Sequence, residues 1–244
     1  MAILKDKITV ILNVYKRPEY LKEQIAALEN QTLKPDEIMI WYNKPEEGEQ
    51  YDFTNLGYKV STNNHNFMFH GRFAYGLLAQ TEYIAFFDDD TIPGPRWLES
   101  CMNEIQKEDL ILGCAGVYLT SDNYSSHAKI GWNGTNNSEL RYVDLVGHGW
   151  FMKRSTLNYL WREDPISWLN GEDIQLSLRA YRLGGIKTAV PPHPSDNKDI
   201  WGSISGMEKG NDIKASWRRG NHFTLRDQIV IESIKQGYIK VKDR

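Results

Sequence analysis

The sequence predicts an α/β fold in which a mixed, mostly parallel sheet is flanked by helices, and three observations carry that reading. Ile8 to Leu12 and Tyr83 to Phe87 are apolar runs without alternation, the pattern of strands buried on both faces. Segments of helical period lie between such runs, and strands alternating with helices imply a parallel sheet. The length of 244 residues, with 41% hydrophobic and 25% charged residues, suits one domain with a substantial core and a cleft.

The elements follow in chain order. After the first strand comes the polar turn Asn13 to Arg17; Pro18 suits a first helical turn, and Leu21, Ile25 and Leu28 recur at helical spacing before Asn30. Glu37 to Tyr42 and Tyr58 to Thr62 read as short strands on either side of a Pro, Glu and Gly-rich stretch from Pro45 to Gly48. A helix over Arg72 to Ala79 precedes the Tyr83 to Phe87 strand, and another spans Arg96 to Lys107. Ile111 to Val117 and Tyr142 to Leu145 read as strands, whereas Ser121 to Ser138, rich in Gly and Asn, has little periodicity and is expected to be a substrate-facing loop. Helices over Ile174 to Leu183, stopped by Gly184 and Gly185, and over Phe223 to Gln236 complete the pattern. Parallel sheets bind ligands outside the carboxyl ends of their strands, so the polar clusters after Leu12 and Phe87 should meet at one edge. A single domain over residues 1–244 is expected, its first half, to about residue 118, serving a nucleotide and the remainder an acceptor.

Composition narrows the function. The net charge of -3, with basic residues spread along the chain, gives no footprint for nucleic acid. No apolar stretch approaches the ~18 residues of a membrane span, and charges interrupt the N-terminal apolar segment, so neither a span nor a signal peptide is expected. Cys101 and Cys114 are too few for a disulfide framework and lack zinc-site spacing, which fits a reducing, cytoplasmic location. The Asn-x-Ser/Thr triplets at Asn123, Asn133 and Asn136 then read as chance matches. Eight Trp and thirteen Tyr are many for this length, and aromatic rings with a polar tip suit sugars, nucleobases and cores alike.

Phe86-Phe87-Asp88-Asp89-Asp90-Thr91 places three carboxylates at the mouth of an apolar strand. Adjacent like charges there repel unless something positive sits among them, and a hard divalent cation, Mn²⁺ or Mg²⁺, held by Asp90 with Asp88 would do so. Kept partly hydrated, such an ion also bridges the phosphates of a nucleotide and acts as a Lewis acid on a leaving diphosphate. The competing reading is a solvated acidic turn at the start of the Arg96 to Lys107 helix. A diphosphate also needs cationic donors, and Arg17 and Arg72 can supply a planar fork of hydrogen bonds. Arg17 could equally be a charge flanking a helix, and Asn43 a turn residue.

Gly171-Glu172-Asp173 puts two carboxylates at a helix N-terminus; capping accounts for one of them and does not require two. His222 and Arg226 stand one helical turn apart and can point into a cleft together, or begin a solvated basic helix. His193, within Pro191-Pro192-His193-Pro194, is a second histidine that could reach a metal, although such a position is more often structural.

These residues carry a resemblance. The chain is similar to glycosyltransferases of the GT-A fold, a Rossmann-like architecture with an Asp-x-Asp motif, and most closely to the exostosin-like glycosyltransferase domain. The likeness runs through Val14-Tyr15-Lys16-Arg17, Trp41-Tyr42-Asn43, Arg72, Asp88 to Thr91, Asp144-Leu145-Val146-Gly147, Gly171-Glu172-Asp173-Ile174 and Trp217 through His222 to Arg226. It implies metal-dependent transfer of a sugar from a UDP-sugar to a carbohydrate acceptor, with retention of anomeric configuration. It assigns Val14, Tyr15, Arg17, Asn43, Asn66, Arg72, Asp88 and Asp89 to the uridine diphosphate, and Asp90 and Asp88 to the metal. Asp173 would lie beside the anomeric carbon with Glu172 supporting the acceptor, and Trp217, His222 and Arg226 would close over the donor. The chain is short and is expected to lack a membrane anchor, unlike eukaryotic members, so heparan-type acceptors are not expected to carry over. Two other readings of Asp173 and its surroundings are an inverting enzyme with Asp173 as base and a binding module without catalysis. A nucleotidylyltransferase ranks lower, because Asn13 to Arg17 contains no glycine.

Overall fold

The computed structural model describes residues 3–45, 51–132, 134–205, 208–218 and 220–244. Asn133, Arg219 and part of the Pro45 to Gly48 stretch lie outside the described residues. The first strand, β1 (Leu4–Val14), turns its buried residues to two faces: Val10, Leu12 and Val14 pack with α1 (Leu21–Glu29) and α3 (Trp97–Ile105), and Ile11 joins the opposite layer. This two-sided burial is what the unalternating apolar run required.

Four strands, β1, β2 (Glu37–Asn43), β3 (Lys59–Asn63) and β4 (Thr81–Phe87), are parallel in the order β3-β2-β1-β4. The chain leaves β1 on one side to build β2 and β3, then returns past α2 (Gly71–Gly76) to add β4 on the other. The carboxyl ends of β1 and β4 therefore form a topological switch point, the place where such sheets bind ligands. Beyond β4 the sheet is mixed. β8 (Leu145–Lys153) runs antiparallel between β4 and β5 (Leu110–Leu119), and β9 (Lys187–Val190) and β7 (Arg141–Val143) extend the far edge while β6 (His127–Ile130) pairs with β5. Among the described residues all nine strands belong to this one sheet, so the first and second halves of the chain share a framework.

The second half departs most from the sequence expectation. The single strand expected over Tyr142 to Leu145 is two, divided at Asp144, because the backbone changes partners there from β9 to β5. Asp144 is fully buried and accepts hydrogen bonds from Leu119 N at 2.7 Å, Tyr238 Oη at 2.7 Å and Val241 N at 2.8 Å. β8 was not foreseen, since Gly147-His148-Gly149 interrupts the apolar pattern; yet a Cβ on Gly149 would lie 2.4 Å from Cys114 Sγ, so the close approach of β8 to β5 requires glycine. The expected loop from Ser121 to Ser138 contains β6 and a turn on either side.

The remaining helices, α4 (Glu172–Gly184) and α5 (His222–Lys235), pack on each other and on β5 and β8 through Ile174, Leu178, Ile229, Val230, Val117 and Leu145. Among the described residues no helix is long and apolar enough to cross a membrane. Removing the Asp144 carboxylate should strand three buried donors at once. Asp144→Ala is expected to cost on the order of 3 kcal/mol in denaturant unfolding and to speed proteolysis after Tyr238, while an unchanged midpoint would show that these bonds are replaced.

Candidate active site

The acidic turn after β4 is held from two sides. Gln24 of α1 donates to the carbonyls of Asp88 at 2.7 Å and Thr91 at 2.9 Å, and Asp88 N donates to His148 O of β8 at 2.9 Å. Three acidic side chains thereby leave the turn in different directions. Asp89 is buried, accepts Lys16 N at 3.2 Å and pairs with Arg17 at 2.9 Å. Asp90 lies 3.3 Å from the same guanidinium, and Arg17 completes its contacts bidentately with Asp212 at 3.0 and 2.6 Å. Asp88 instead turns toward β8 and pairs with Arg72.

Asp88, Asp90 and His148 can each offer one ligand atom, all within 4.8 Å of one another. Burial raises the proton affinity of Asp90, and the Asp88 charge adds to it while His148 and Arg17 oppose it. Burial likewise lifts Asp89 to about 6, with Asp90 adding to the rise against the pull of Arg17. Crowded carboxylates that resist ionisation are relieved by a divalent cation, so the residues fit one. Two carboxylates with an imidazole suit Mn²⁺ better than Mg²⁺, which prefers oxygen ligands. Neither His193 nor His222 belongs to this group. His193 stacks on Trp201 with ring centroids 4.1 Å apart, and burial lowers its pKa to about 4. His148 went unread in the sequence; its signal is a histidine between two glycines inside an apolar run, here at a left-handed backbone φ of 66°.

Arg72 links this group to the second acidic pair. Its guanidinium is buried, pairs with Asp88 and with Glu172 at 2.9 Å, and lies 4.7 Å from the Trp150 ring centroid. Gly171, at φ 79°, gives the left-handed turn that starts α4 and points Glu172 and Asp173 inward. Burial pushes the Glu172 carboxyl up to about 7, with Asp173 adding to the rise and Arg72 and Arg226 opposing it. Asp173 is buried as well, but the charge and hydrogen bonds of Arg226 outweigh burial and hold its pKa below the usual range. Arg226 grips Asp173 bidentately at 2.9 and 2.6 Å and reaches Asn170 at 3.2 Å, and Asn170 meets His222 Nδ1 at 3.0 Å.

A cavity of about 510 Å³ opens over these groups, lined by Asp88, His148, Arg72, Glu172, Asp173 and Arg226. His222 also lines it, as do Tyr124, His127, Lys129 and Trp132 from the segment expected to face substrate. The other candidate donor residues gather beside β1. Val14 is buried in the core, and the Tyr15 hydroxyl accepts from Asn66 Nδ2 at 3.0 Å. Asn43 fixes the next loop by donating to Asn66 at 2.8 Å and to Met68 O at 3.0 Å and by accepting Phe67 N at 2.8 Å.

A model of glycosyl transferase family 2 matches residues 9–161, more than half of the chain. The chain belongs to glycosyl transferase family 2. Its fold is the GT-A architecture of that family. The family match supports the part of the resemblance that concerns fold and glycosyl transfer, and does not support its exostosin-like part. Two crystal structures of S. aureus TarS are similar, both with a TM-score of 0.53, at 17% identity for one and 18% for the form spanning residues 1–349. Each alignment covers 77% of this chain, but only 35% and 58% of the respective TarS chains, so the likeness is one of fold. A search of the curated proteins gives no match.

Two outcomes follow from this geometry. Because metal and proton compete for Asp90, and burial raises its proton affinity, the rise in melting temperature on adding MnCl₂ should be small near about pH 5 and larger near about pH 7.5, and absent in Asp90→Asn. Comparing with and without metal at each pH cancels His70 and His193, whose pKa values burial lowers to about 4. Arg72→Ala leaves Asp88 and Glu172 facing each other without a cation and should destabilise the fold by about 3–5 kcal/mol in calorimetry. Partial recovery is expected in the double variant Arg72→Met with Glu172→Gln.

Proposed function

We propose that this enzyme transfers a sugar from a UDP-sugar, held with the aid of Mn²⁺ at Asp88, Asp90 and His148, to a hydroxyl of a carbohydrate acceptor lying over Asp173. The observation that carries this is that Asp88 and His148 of the metal-ligand group and the buried pair Glu172 and Asp173 line one cavity, coupled through Arg72. When bound, the ion offsets the charge of the diphosphate as it leaves. The protein supplies the rest. Arg17 and Arg72 lie beside the acids that hold the ion and are placed to take phosphate oxygens, while Asn43, Asn66 and Tyr15 form a polar loop edge for the nucleoside.

At the reacting centre the pairing with Arg226 keeps Asp173 ionised, the state a general base needs in a single displacement. In it the acceptor oxygen bonds to the anomeric carbon as the bond to the diphosphate oxygen breaks, and the hydroxyl proton passes to Asp173. That step inverts the anomeric centre. It replaces the retention implied by the exostosin-like resemblance, which the family match does not support. Glu172, raised to about 7 and fixed by Arg72, shapes the acceptor side, and His222 and Asn170 orient Arg226.

Asp173→Asn separates this reading from that of a binding module. UDP affinity with Mn²⁺, measured by calorimetry, should stay within about threefold, while transfer falls by at least about two orders of magnitude, roughly 3 kcal/mol of transition-state stabilisation. Transfer at the parent rate would remove Asp173 from the chemistry. A parent enzyme that binds UDP but neither transfers nor hydrolyses any of a panel of UDP-sugars would be a binder, and a retained anomeric proton coupling in the product would restore the exostosin-like mechanism.

A further inference from the structure

The chemistry above uses one wall of the cavity and leaves another without a role. That wall is aromatic. Phe223, in the first turn of α5, is 47% exposed, and Trp217, in the 3-10 turn Ser216–Arg218 that packs on α5, is 43% exposed; both line the cavity. Tyr124 completes the wall, its ring centroid 6.2 Å from that of Phe223. The wall stands next to the reacting groups, because the Arg226 guanidinium lies 4.1 Å from the Tyr124 ring while its nitrogens hold Asp173. Large apolar rings left open to water are common when scattered, but here they line one cavity together with Asp88, Glu172 and Asp173. Flat aromatic faces beside hydrogen-bonding groups match a molecule with one apolar face and a polar perimeter.

We propose that Phe223 and Trp217, backed by Tyr124, form the acceptor subsite, and that they select a pyranose ring whose axial C–H bonds make a continuous apolar face, over an acyclic polyol with the same hydroxyl groups. The assignment rests on the glycosyl transfer proposed above, since it takes the acceptor to be the molecule entering beside Asp173. A β-glucopyranoside presents the required face through its axial H1, H3 and H5. An open-chain polyol has no such face and would have to be ordered on binding, which costs conformational entropy. The resemblance would lay Trp217 over the donor; its turn packs on α5, whose first turn carries Phe223, and that shared support is what groups it with the acceptor here.

The test reads binding rather than turnover, so it stands apart from whether transfer occurs. Saturation-transfer NMR would be run on the full chain with UDP and MnCl₂, using methyl β-D-glucopyranoside and D-glucitol as probes. Enhancement of H1, H3 and H5 is expected for the pyranoside and little for glucitol. Phe223→Ala and Trp217→Ala should each weaken pyranoside binding by about tenfold, with Trp217→Tyr recovering most of the loss and UDP affinity unchanged. Trp168→Ala serves as a control: that ring is 56% exposed but is not part of the cavity wall, and its removal should leave pyranoside binding as it was. Equal enhancement of the two probes, parent-like pyranoside binding in both alanine variants, or a loss of UDP affinity in Trp217→Ala would overturn the assignment. Pyranoside binding with no transfer to any acceptor would instead leave the subsite standing and count against the enzyme reading.

Discussion

Like charges gathered at one edge of an apolar sheet are the constraint on which the rest of the structure depends. Asp88, Asp89, Asp90, Glu172 and Asp173 converge there, and Arg17, Arg72 and Arg226 each bind at least one of them. Arg17 also binds Asp212, so three guanidinium groups serve six carboxylates and the acids outnumber the cations. Burial makes that excess costly: it holds Glu172 at about 7 and Asp89 at about 6. The site is thus preorganised for a positive ligand in a way that an acidic surface turn would not be.

The three arginines also join parts of the chain that are distant in sequence. Arg17 follows β1, Arg72 belongs to α2 and Arg226 to α5, and each reaches acids set by another element. The sheet order makes this possible by bringing the ends of β1 and β4 together, with β8 antiparallel beside β4 so that His148 stands across from Asp88. Specificity of geometry, rather than net stability, is what such buried ion pairs offer, since hydrophobic replacements often stabilise a core more.

How much of this was legible follows from which residues act locally. The strand ending at Phe87, the acids after it and the carboxylates at the start of α4 are contiguous in sequence, and their placement was readable from hydrophobic period and helix-terminus chemistry. Arg72 was readable as a charge near the acidic strand, but its burial between Asp88 and Glu172 was not, because α4 follows it by a hundred residues. His148 and β8 were missed for a related reason. A Gly-His-Gly step looks like a loop until the tight packing of Gly149 on Cys114 is known, and that contact depends on tertiary structure. Asp144 was seen as one residue of a resembling motif, while its role as the point where the backbone changes strand partners depends on Tyr238 and Val241.

That last contact bears on the order in which the molecule can assemble. The parallel strands β1 to β4 all lie before residue 88 and can pair before the later chain exists, whereas Asp173 waits for Arg226 and Asp144 waits for Tyr238 and Val241, which come only after α4 and β9. A growing polypeptide that has emerged only through β9 would hold all the strands of its sheet and the acids after β4, yet Asp173 would still lack Arg226 and Asp144 would lack two of its three donors. α5 and the turn after it then act as a final keystone, so that the chain neutralises its reacting centre only as its last helix docks.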